Sequence, residues 1–206
     1  EMSARRATVS ALAEAGVEGR ARIAEAFAAE PFGARRTVRA YRYLTDAVVR
    51  IAFAVATERL HHLPNPTEGE RIAVMAVGGY GRGEMAPFSD VDLLFLTPYK
   101  ITPWAESVIE SMLYILWDLK LKVGHASRTV RDCLRLGAED YTIRTALLET
   151  RFLTGHAPLA DDLDARLRAD LFTGTERDFI AAKLEERDAR HRKQGQRYMV
   201  EPNVKE

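Results

Sequence analysis

The sequence predicts an α/β (α+β) fold, in which a small mixed central sheet is flanked by helices and extended by a helical segment at each end. Two observations support this class. Residues 71–77 read as one strand and residues 91–96 as another, and the continuous apolar sequence of each, from Ile72 and from Leu93 onward, is typical of strands that are buried on both faces. Before and after these runs, apolar residues recur at intervals of three and four, which indicates amphipathic helices that pack against the sheet.

Two helices are predicted before the first strand. Residues 3–29 are rich in Ala, Arg and Glu, with a candidate interruption at Gly16. Residues 34–62 form a longer helix that ends before Pro64 and Pro66. Its apolar positions form a stripe that faces a core. The stripe comprises Val38, Tyr41, Leu44, Val48, Ile51 and Val55.

Helical and extended patterns alternate again after the second apolar run. An apolar stripe over residues 101–119 predicts a helix that covers one face of the sheet. A third strand is predicted at residues 121–129, followed by short helices over 130–149 that are divided around Gly137. From residue 161 to residue 192 we expect two charged helices, separated near Thr173 and Gly174.

Charge and cysteine content narrow the classes of function. Thirty basic and thirty acidic residues cancel, which argues against a surface built to bind nucleic acid or an anionic membrane. Cys133 is the one cysteine of the chain, so an internal disulfide is excluded, and we expect Cys133 to pack on a helix face. No apolar run has the length of a membrane span, and residues 1–30 lack the apolar region of a signal peptide. These features predict a cytoplasmic location.

Two acidic residues, Asp90 and Asp92, open the second apolar run. Because successive side chains of a strand point to opposite faces, both carboxylates are expected on one face, with Cα atoms about 6 to 7 Å apart. Like charges this close are costly unless a cation or hydrogen bonds compensate them. Oxygen ligands of this kind favour Mg²⁺. The pair is therefore a candidate metal site, although aspartate at a strand start also serves as a plain turn residue.

A glycine-rich turn, GGYGRG at residues 78–83, follows the first predicted strand directly. Glycine permits a positive φ and a close backbone approach, so the amide groups of such a turn can hold phosphate oxygens. The turn lacks the Lys-Ser or Lys-Thr of a Walker A loop, and by itself it is equally compatible with a tight connection. The candidate nucleotide-binding residues are Gly78, Gly79, Gly81, Arg82 and Ser89.

A strand, a Gly-Gly turn and a Ser-Asp-x-Asp segment in this order resemble the nucleotidyltransferase superfamily, whose catalytic core is similar to that of DNA polymerase β. The fuller string GGYGRGEMAPFSDVD is similar to the N-terminal catalytic domain of the bacterial PII uridylyltransferase/uridylyl-removing enzymes. Further matching stretches extend the resemblance over roughly the last two thirds of the chain. They lie at residues 116–133, 145–155 and 196–206.

The resemblance implies a nucleotidyltransferase fold and a Mg²⁺-dependent reaction. In that reaction UMP passes from UTP to a tyrosine of the PII nitrogen-regulatory signal protein, and pyrophosphate is released. Asp90 and Asp92 would then be both the catalytic residues and the metal ligands. Two alternatives stay open: a related nucleotidyltransferase with another donor or acceptor, and a non-catalytic nucleotide-binding module that regulates a partner.

The sequence departs from the superfamily at the third carboxylate, which usually lies on a neighbouring strand. The matching strand offers Lys122 and His125 instead, and His125 is a candidate base or phosphate contact. Asp118 and Glu149 are the other candidates for an additional acidic group. The chain contains no His-Asp dipeptide, so we expect neither a uridylyl-removing domain nor a complete enzyme within it.

These interpretations together divide the chain into three regions. The first and last are helical, and the last is expected to continue in a longer protein. The regions are an N-terminal helical region at residues 1–66, a nucleotidyltransferase core at residues 67–157 and a C-terminal helical segment at residues 158–206.

Overall fold

The computed structural model describes residues 2–194 of the chain and contains a four-stranded mixed sheet with the strand order β3-β2-β1-β4. Strand β1 is antiparallel to both β2 and β4, whereas β2 and β3 are parallel. The predicted small mixed sheet flanked by helices is confirmed. The strands are β1 (Ala73–Ala76), β2 (Val91–Thr97), β3 (Val123–Thr129) and β4 (Arg151–Gly155).

Eight α-helices within residues 2–194 surround the sheet. A π-helical turn extends α2 over Ala56–Leu60, and a second extends α7 over Leu167–Phe172. The helices are α1 (Met2–Ala29), α2 (Ala34–Val55), α3 (Gly78–Arg82), α4 (Pro103–Asp118), α5 (Val130–Glu139), α6 (Tyr141–Leu148), α7 (Ala157–Arg166) and α8 (Glu176–Gln194). Among residues 2–194, no helix is both long enough and apolar enough to cross a membrane.

The first face of the sheet is covered by α1, α2 and α4. Alternate residues of β2, namely Val91, Leu93 and Phe95, point into this layer and are almost fully buried there. The opposite face carries Leu94 and Leu96, which pack with buried side chains of α5, α6 and α7. Both faces of β2 are thus covered, as its continuous apolar sequence predicts.

Side-chain caps stand at the start of three helices, α4, α5 and α6. The Thr102 hydroxyl accepts a hydrogen bond from Ala105 N (3.2 Å) at the start of α4. Asp140 caps α6 by accepting from Thr142 N (2.6 Å) and Ile143 N (3.2 Å), and these bonds lower the pKa of its carboxyl group. The predicted division at Gly137 is wrong, because Gly137 lies buried inside α5 and the break falls at Asp140.

The remaining elements confirm the predicted order with some changes. Helix α1 passes through Gly16 without interruption, and α2 with its π turn ends at Leu60. The two charged helices are separated by a turn that contains Thr173 and Gly174, as expected. Strand β4 was not predicted, because its short sequence RFLTG is neither alternating nor continuously apolar. The predicted match at residues 196–206 lies outside the described residues.

Candidate functional site

The carboxylate of Asp92 lies at the start of β2, between the glycine-rich turn and strand β3. Asp92 is in register with Gly124, and a Cβ atom at position 124 would overlap Asp92 Oδ1. On the other side, a Cβ atom at Gly78 would lie 3.7 Å from Asp92 Oδ2. The predicted proximity of the aspartate and the first glycine is therefore present.

The glycine-rich turn is fastened to the strand that carries Asp92. Val77 N donates a hydrogen bond to Asp92 O (3.1 Å), and Gly78 then adopts a φ of +59°. This left-handed conformation favours glycine, and it turns the chain from β1 into α3. The short helix over Gly78–Arg82 therefore begins beside the Asp92 carboxylate.

Asp90 precedes β2 rather than opening it, and it is exposed at the surface. A turn stands immediately before it, in which Ala86 N donates to Ser89 Oγ (3.0 Å) and Ser89 N donates to Ala86 O (3.1 Å). The Ser89 hydroxyl thus accepts from the backbone of its own turn. Val91 N donates to Lys122 O (2.8 Å), which joins this segment to the residue before β3.

Arg82, the cation of the turn, is held by two carboxylates. It forms ion pairs with Glu149 and with Glu84, the second at 3.0 Å. The hydrogen bond to Glu149, followed by that to Glu84, raises the pKa of the Arg82 guanidinium. Glu149 is one of the predicted candidates for an additional acidic group, and its position beside the turn is set by this pair.

A buried hydrogen-bond network lies behind the turn, and no sequence motif predicted it. The Tyr80 hydroxyl donates to Asp46 Oδ1 (2.8 Å), and Arg151 donates to both carboxylate oxygens of Asp46 (2.8 and 3.0 Å). Arg151 also donates to the backbone carbonyls of Tyr80 (3.2 Å) and Gly81 (3.3 Å). Burial, and then the Asp46 carboxylate, raise the pKa of Tyr80 above its usual value. Helices α2 and α3 are thereby joined to β4.

A cavity of about 250 Å³ opens beside Asp92 on the face of the sheet that carries α5 and α6. Asp92, Gly78 and Gly124 lie along one part of its wall. Arg128 of β3 belongs to the same lining, and side chains of α6 form the facing wall. Those α6 residues are Thr142, Ile143, Ala146 and Leu147. Gly79, Gly81, Arg82, Ser89 and Asp90 do not line this cavity.

A larger cavity of about 490 Å³ lies on the opposite side, between α1, α2 and residues 85–91. Ser89 is part of its wall, but neither Asp92 nor the glycines of the turn are. Its lining is mostly apolar. We therefore place the candidate site at the smaller cavity, which contains the aspartate and the glycine predicted from the motif.

The side chains of the two other residues considered for the missing groups have other neighbours, although the cavity lining includes His125. His125 is in register with Leu93, so its side chain lies on the opposite face of the sheet from Asp92, where its ring is 6.3 Å from that of Trp117. Asp118 forms an ion pair with Arg5 of α1 (2.8 Å). Among residues 2–194, no group of three or more His, Cys, Asp or Glu side chains is arranged to hold a metal ion.

The oxygen atoms of Asp92 at the smaller cavity suit a divalent ion such as Mg²⁺ that is bound together with a phosphate group. Mg²⁺ is usually held by one or two carboxylates together with substrate phosphates and water, rather than by a complete protein cage. Asp92 places carboxylate oxygens beside a glycine with no side chain, and the cavity leaves room next to them. The residues present are therefore consistent with a divalent ion that is bound jointly with phosphate.

Comparison with known protein families gives a match over the middle of the chain. Residues 65–153 match the nucleotidyltransferase domain family, and this range contains strands β1, β2 and β3, the glycine-rich turn, Asp90 and Asp92. The match ends inside β4, so it includes the whole wall of the smaller cavity.

The chain is also similar to several proteins named bifunctional uridylyltransferase/uridylyl-removing enzyme. It is 72% identical to that of Ruegeria pomeroyi over 98% of this chain and 22% of the relative. For the protein of Cereibacter sphaeroides the identity is 67% over 99% of this chain, and for that of Phenylobacterium zucineum it is 54% over the whole chain. The chain spans 22% of the length of each of these relatives.

Proposed function

We propose that the chain is a nucleotidyltransferase that transfers UMP from UTP to a tyrosine hydroxyl of the PII signal protein, starting from the match of residues 65–153 to the nucleotidyltransferase domain family. The observation that carries the proposal is the position of the Asp92 carboxylate, beside Gly78 and at the wall of a cavity. The donor and the acceptor rest on the similarity to the named uridylyltransferases and on the resemblance of the motif.

In this proposal Asp90 and Asp92 are the metal ligands and catalytic residues, and the glycine-rich turn holds the phosphates. Gly78 and Gly79 begin α3, where the first amide groups of a helix have no acceptor within it. Gly81 allows α3 to lie directly on the backbone of Glu149, because a Cβ atom there would overlap Glu149 O. Ser89 shapes the turn before Asp90, and Arg82 contributes positive charge next to the phosphates.

The proposed reaction forms one oxygen–phosphorus bond and breaks another, and the site is suited to assist this exchange. The tyrosine oxygen attacks the α-phosphorus, a new oxygen–phosphorus bond forms, and the bond to the β-phosphate oxygen breaks. Pyrophosphate leaves with that electron pair, and the phenolic proton is lost. Divalent ions, when bound at the carboxylates, supply charge neutralisation of the phosphates. The residues of the chain hold the donor in place and keep the carboxylates beside it.

A transfer assay tests this proposal. The purified chain is incubated with PII protein, Mg²⁺ and UTP labelled at the α-phosphate, in parallel with labelled ATP. We expect label on PII from UTP and little from ATP. Replacing Asp92 by Asn should reduce the transfer at least a hundredfold, since a carboxylate ligand is lost.

Asp170→Asn is a matched control, because Asp170 is an exposed carboxylate that pairs with Arg166 on its own helical segment and lines neither cavity. Transfer by the Asp170→Asn variant should equal that of the wild type. Labelling from ATP instead of UTP would support the related transferase with another donor. Nucleotide binding without any transfer would support the regulatory module, and an active Asp92→Asn variant would contradict the assigned site.

A further inference from the structure

We propose that Arg128 contacts the base of the donor nucleotide and selects uracil by donating a hydrogen bond to its O4 oxygen. The inference rests on the proposed function, and it adds a specificity residue that the sequence motif did not include. It begins from the position of Arg128 in the wall of the cavity that also contains Asp92.

Strand register places Arg128 on the face of the sheet that carries Asp92. Gly124 is in register with Asp92, and Arg128 is in register with Leu96. Because side chains alternate along a strand, positions 124, 126 and 128 of β3 share this face, whereas His125 lies on the other. Arg128 is half-buried there. Its guanidinium is thus a cation at the wall of the cavity that contains Asp92.

The pairing of Arg128 sets it apart from the other arginines near the site. Arg82 is engaged by two carboxylates, and Arg151 is engaged by Asp46 and two carbonyls. The Arg128 guanidinium, in contrast, has no hydrogen bond and no ion pair with any group of the described range 2–194. A guanidinium group carries five N–H donors, and when it is half-buried these need acceptors. A ligand in the cavity is a suitable source of such acceptors.

Distance along the strand indicates which end of the nucleotide reaches Arg128. Arg128 lies four positions after Gly124, and this corresponds to about 13 Å of extended chain. The phosphates belong to the end that contains Asp92 and Gly78. The nucleoside then extends toward Arg128, past the small and apolar walls formed by Ala126, Ile143 and Ala146. A flat pyrimidine ring suits such walls, because its faces are apolar and its edge is polar.

The chemistry of guanidinium then favours one base. Arginine donates hydrogen bonds and accepts none. Uracil presents an acceptor oxygen at C4, as thymine does, whereas cytosine carries an amino donor at that position and adenine carries one at its six-membered ring. Arg128 would therefore stabilise bound UTP and oppose CTP and ATP, since a donor facing another donor loses its hydration without gaining a bond.

Nucleotide titrations test this assignment. The 206-residue chain and its Arg128→Gln variant are titrated calorimetrically with UTP, CTP and tripolyphosphate, each in the presence of Mg²⁺. We expect the wild type to bind UTP more tightly than CTP. In the variant, UTP affinity should fall about tenfold while CTP and tripolyphosphate affinities stay within a factor of about two.

Two further variants complete the experiment. Arg128→Lys should restore only part of the UTP preference, because ammonium lacks the planar donor pair. Arg131→Gln is the matched control, since Arg131 is exposed and does not line the cavity; its UTP affinity should equal that of the wild type.

The outcomes separate this inference from the proposed function. Equal losses of UTP, CTP and tripolyphosphate affinity in the Arg128→Gln variant would overturn the base contact in favour of a phosphate contact. An unchanged ratio of UTP to CTP affinity would overturn it as well, while wild-type UTP binding and transfer would leave the proposed function intact. A wild-type chain that neither binds nor transfers UTP would contradict the proposed function itself.

Discussion

The Asp92 carboxylate lies against the backbone of Gly124, on the neighbouring parallel strand, where an added Cβ atom would overlap Asp92 Oδ1 and displace the carboxylate. Gly124 therefore sets the position of the carboxylate as much as β2 does. The glycine-rich turn contributes Gly78 on the other side of the same group. The site is consequently framed by two glycines that are 46 positions apart in the sequence.

Replacing Gly124 by Ala should lower the transfer activity about a hundredfold, because the new methyl group displaces the Asp92 carboxylate by an ångström or more. Thermal stability should change little, since alanine favours a strand slightly over glycine. A transfer assay and a melting curve measure the two effects. Gly69→Ala is the control, because a methyl group there meets only ordinary contacts; a fully active Gly124→Ala variant would contradict the expected position of the carboxylate.

Breaking the buried network behind the turn should destabilise the fold. Asp46→Asn leaves Arg151 without its carboxylate partner and should lower the free energy of unfolding by about 2 to 3 kcal/mol. Tyr80→Phe removes one hydrogen bond and should cost about 1 kcal/mol. Urea denaturation measures both losses. The double variant should lose less than the sum, because Asp46→Asn weakens the same hydrogen bond that Tyr80→Phe removes; strict additivity would show that the groups do not interact.

Tyr80 should make the fold less stable at alkaline pH. Burial and the Asp46 carboxylate raise the pKa of Tyr80 in the folded state, whereas in the unfolded chain its pKa is about 10. Below pH ~10 both states keep the proton, and the stabilising contribution is complete. Above that pH the unfolded state loses the proton first, so the free energy of unfolding falls as the pH rises. The fall between pH 9 and 11, measured by urea denaturation, should be smaller in Tyr80→Phe; equal slopes would refute the assignment.

Cys133 should be unreactive in the folded protein. It is fully buried in α5, and this burial raises the pKa of its thiol to about 12. Because the thiolate is the reactive species, a thiol reagent at pH 8 should label the native chain negligibly and label the chain fully in denaturant. Mass spectrometry of the alkylated protein measures the difference. Rapid labelling of the native chain would show that α5 opens readily.

Local sequence was sufficient to predict much of the fold and the outline of the site. The apolar runs of β1 and β2 were recognised because burial on both faces leaves no polar positions. The glycine-rich turn and Asp92 are joined by a short connection, so their proximity follows from one strand, one turn and the next strand. Cys133 was correctly expected to pack on a helix face, since its neighbours have helical spacing.

Contacts between residues that are distant in sequence could not be predicted in the same way. Asp46 and Arg151 are 105 positions apart, and their pairing depends on α2 and β4 meeting beside α3. The face occupied by His125 depends on the register of β3 with β2, because a shift of one residue reverses every side chain. The partners of Arg82 and the existence of β4 are likewise consequences of how the chain folds back on itself.

The sequence by itself determined the strands, the helices and the motif that unites Gly78 with Asp92, because each depends on hydrogen bonds and apolar periodicity within a short segment. Only the tertiary structure decided that Gly124 limits the position of Asp92 and that Arg128 shares its cavity. The physical reason is that strand order and register are set by packing over the whole domain, where many weak contacts between distant residues act together.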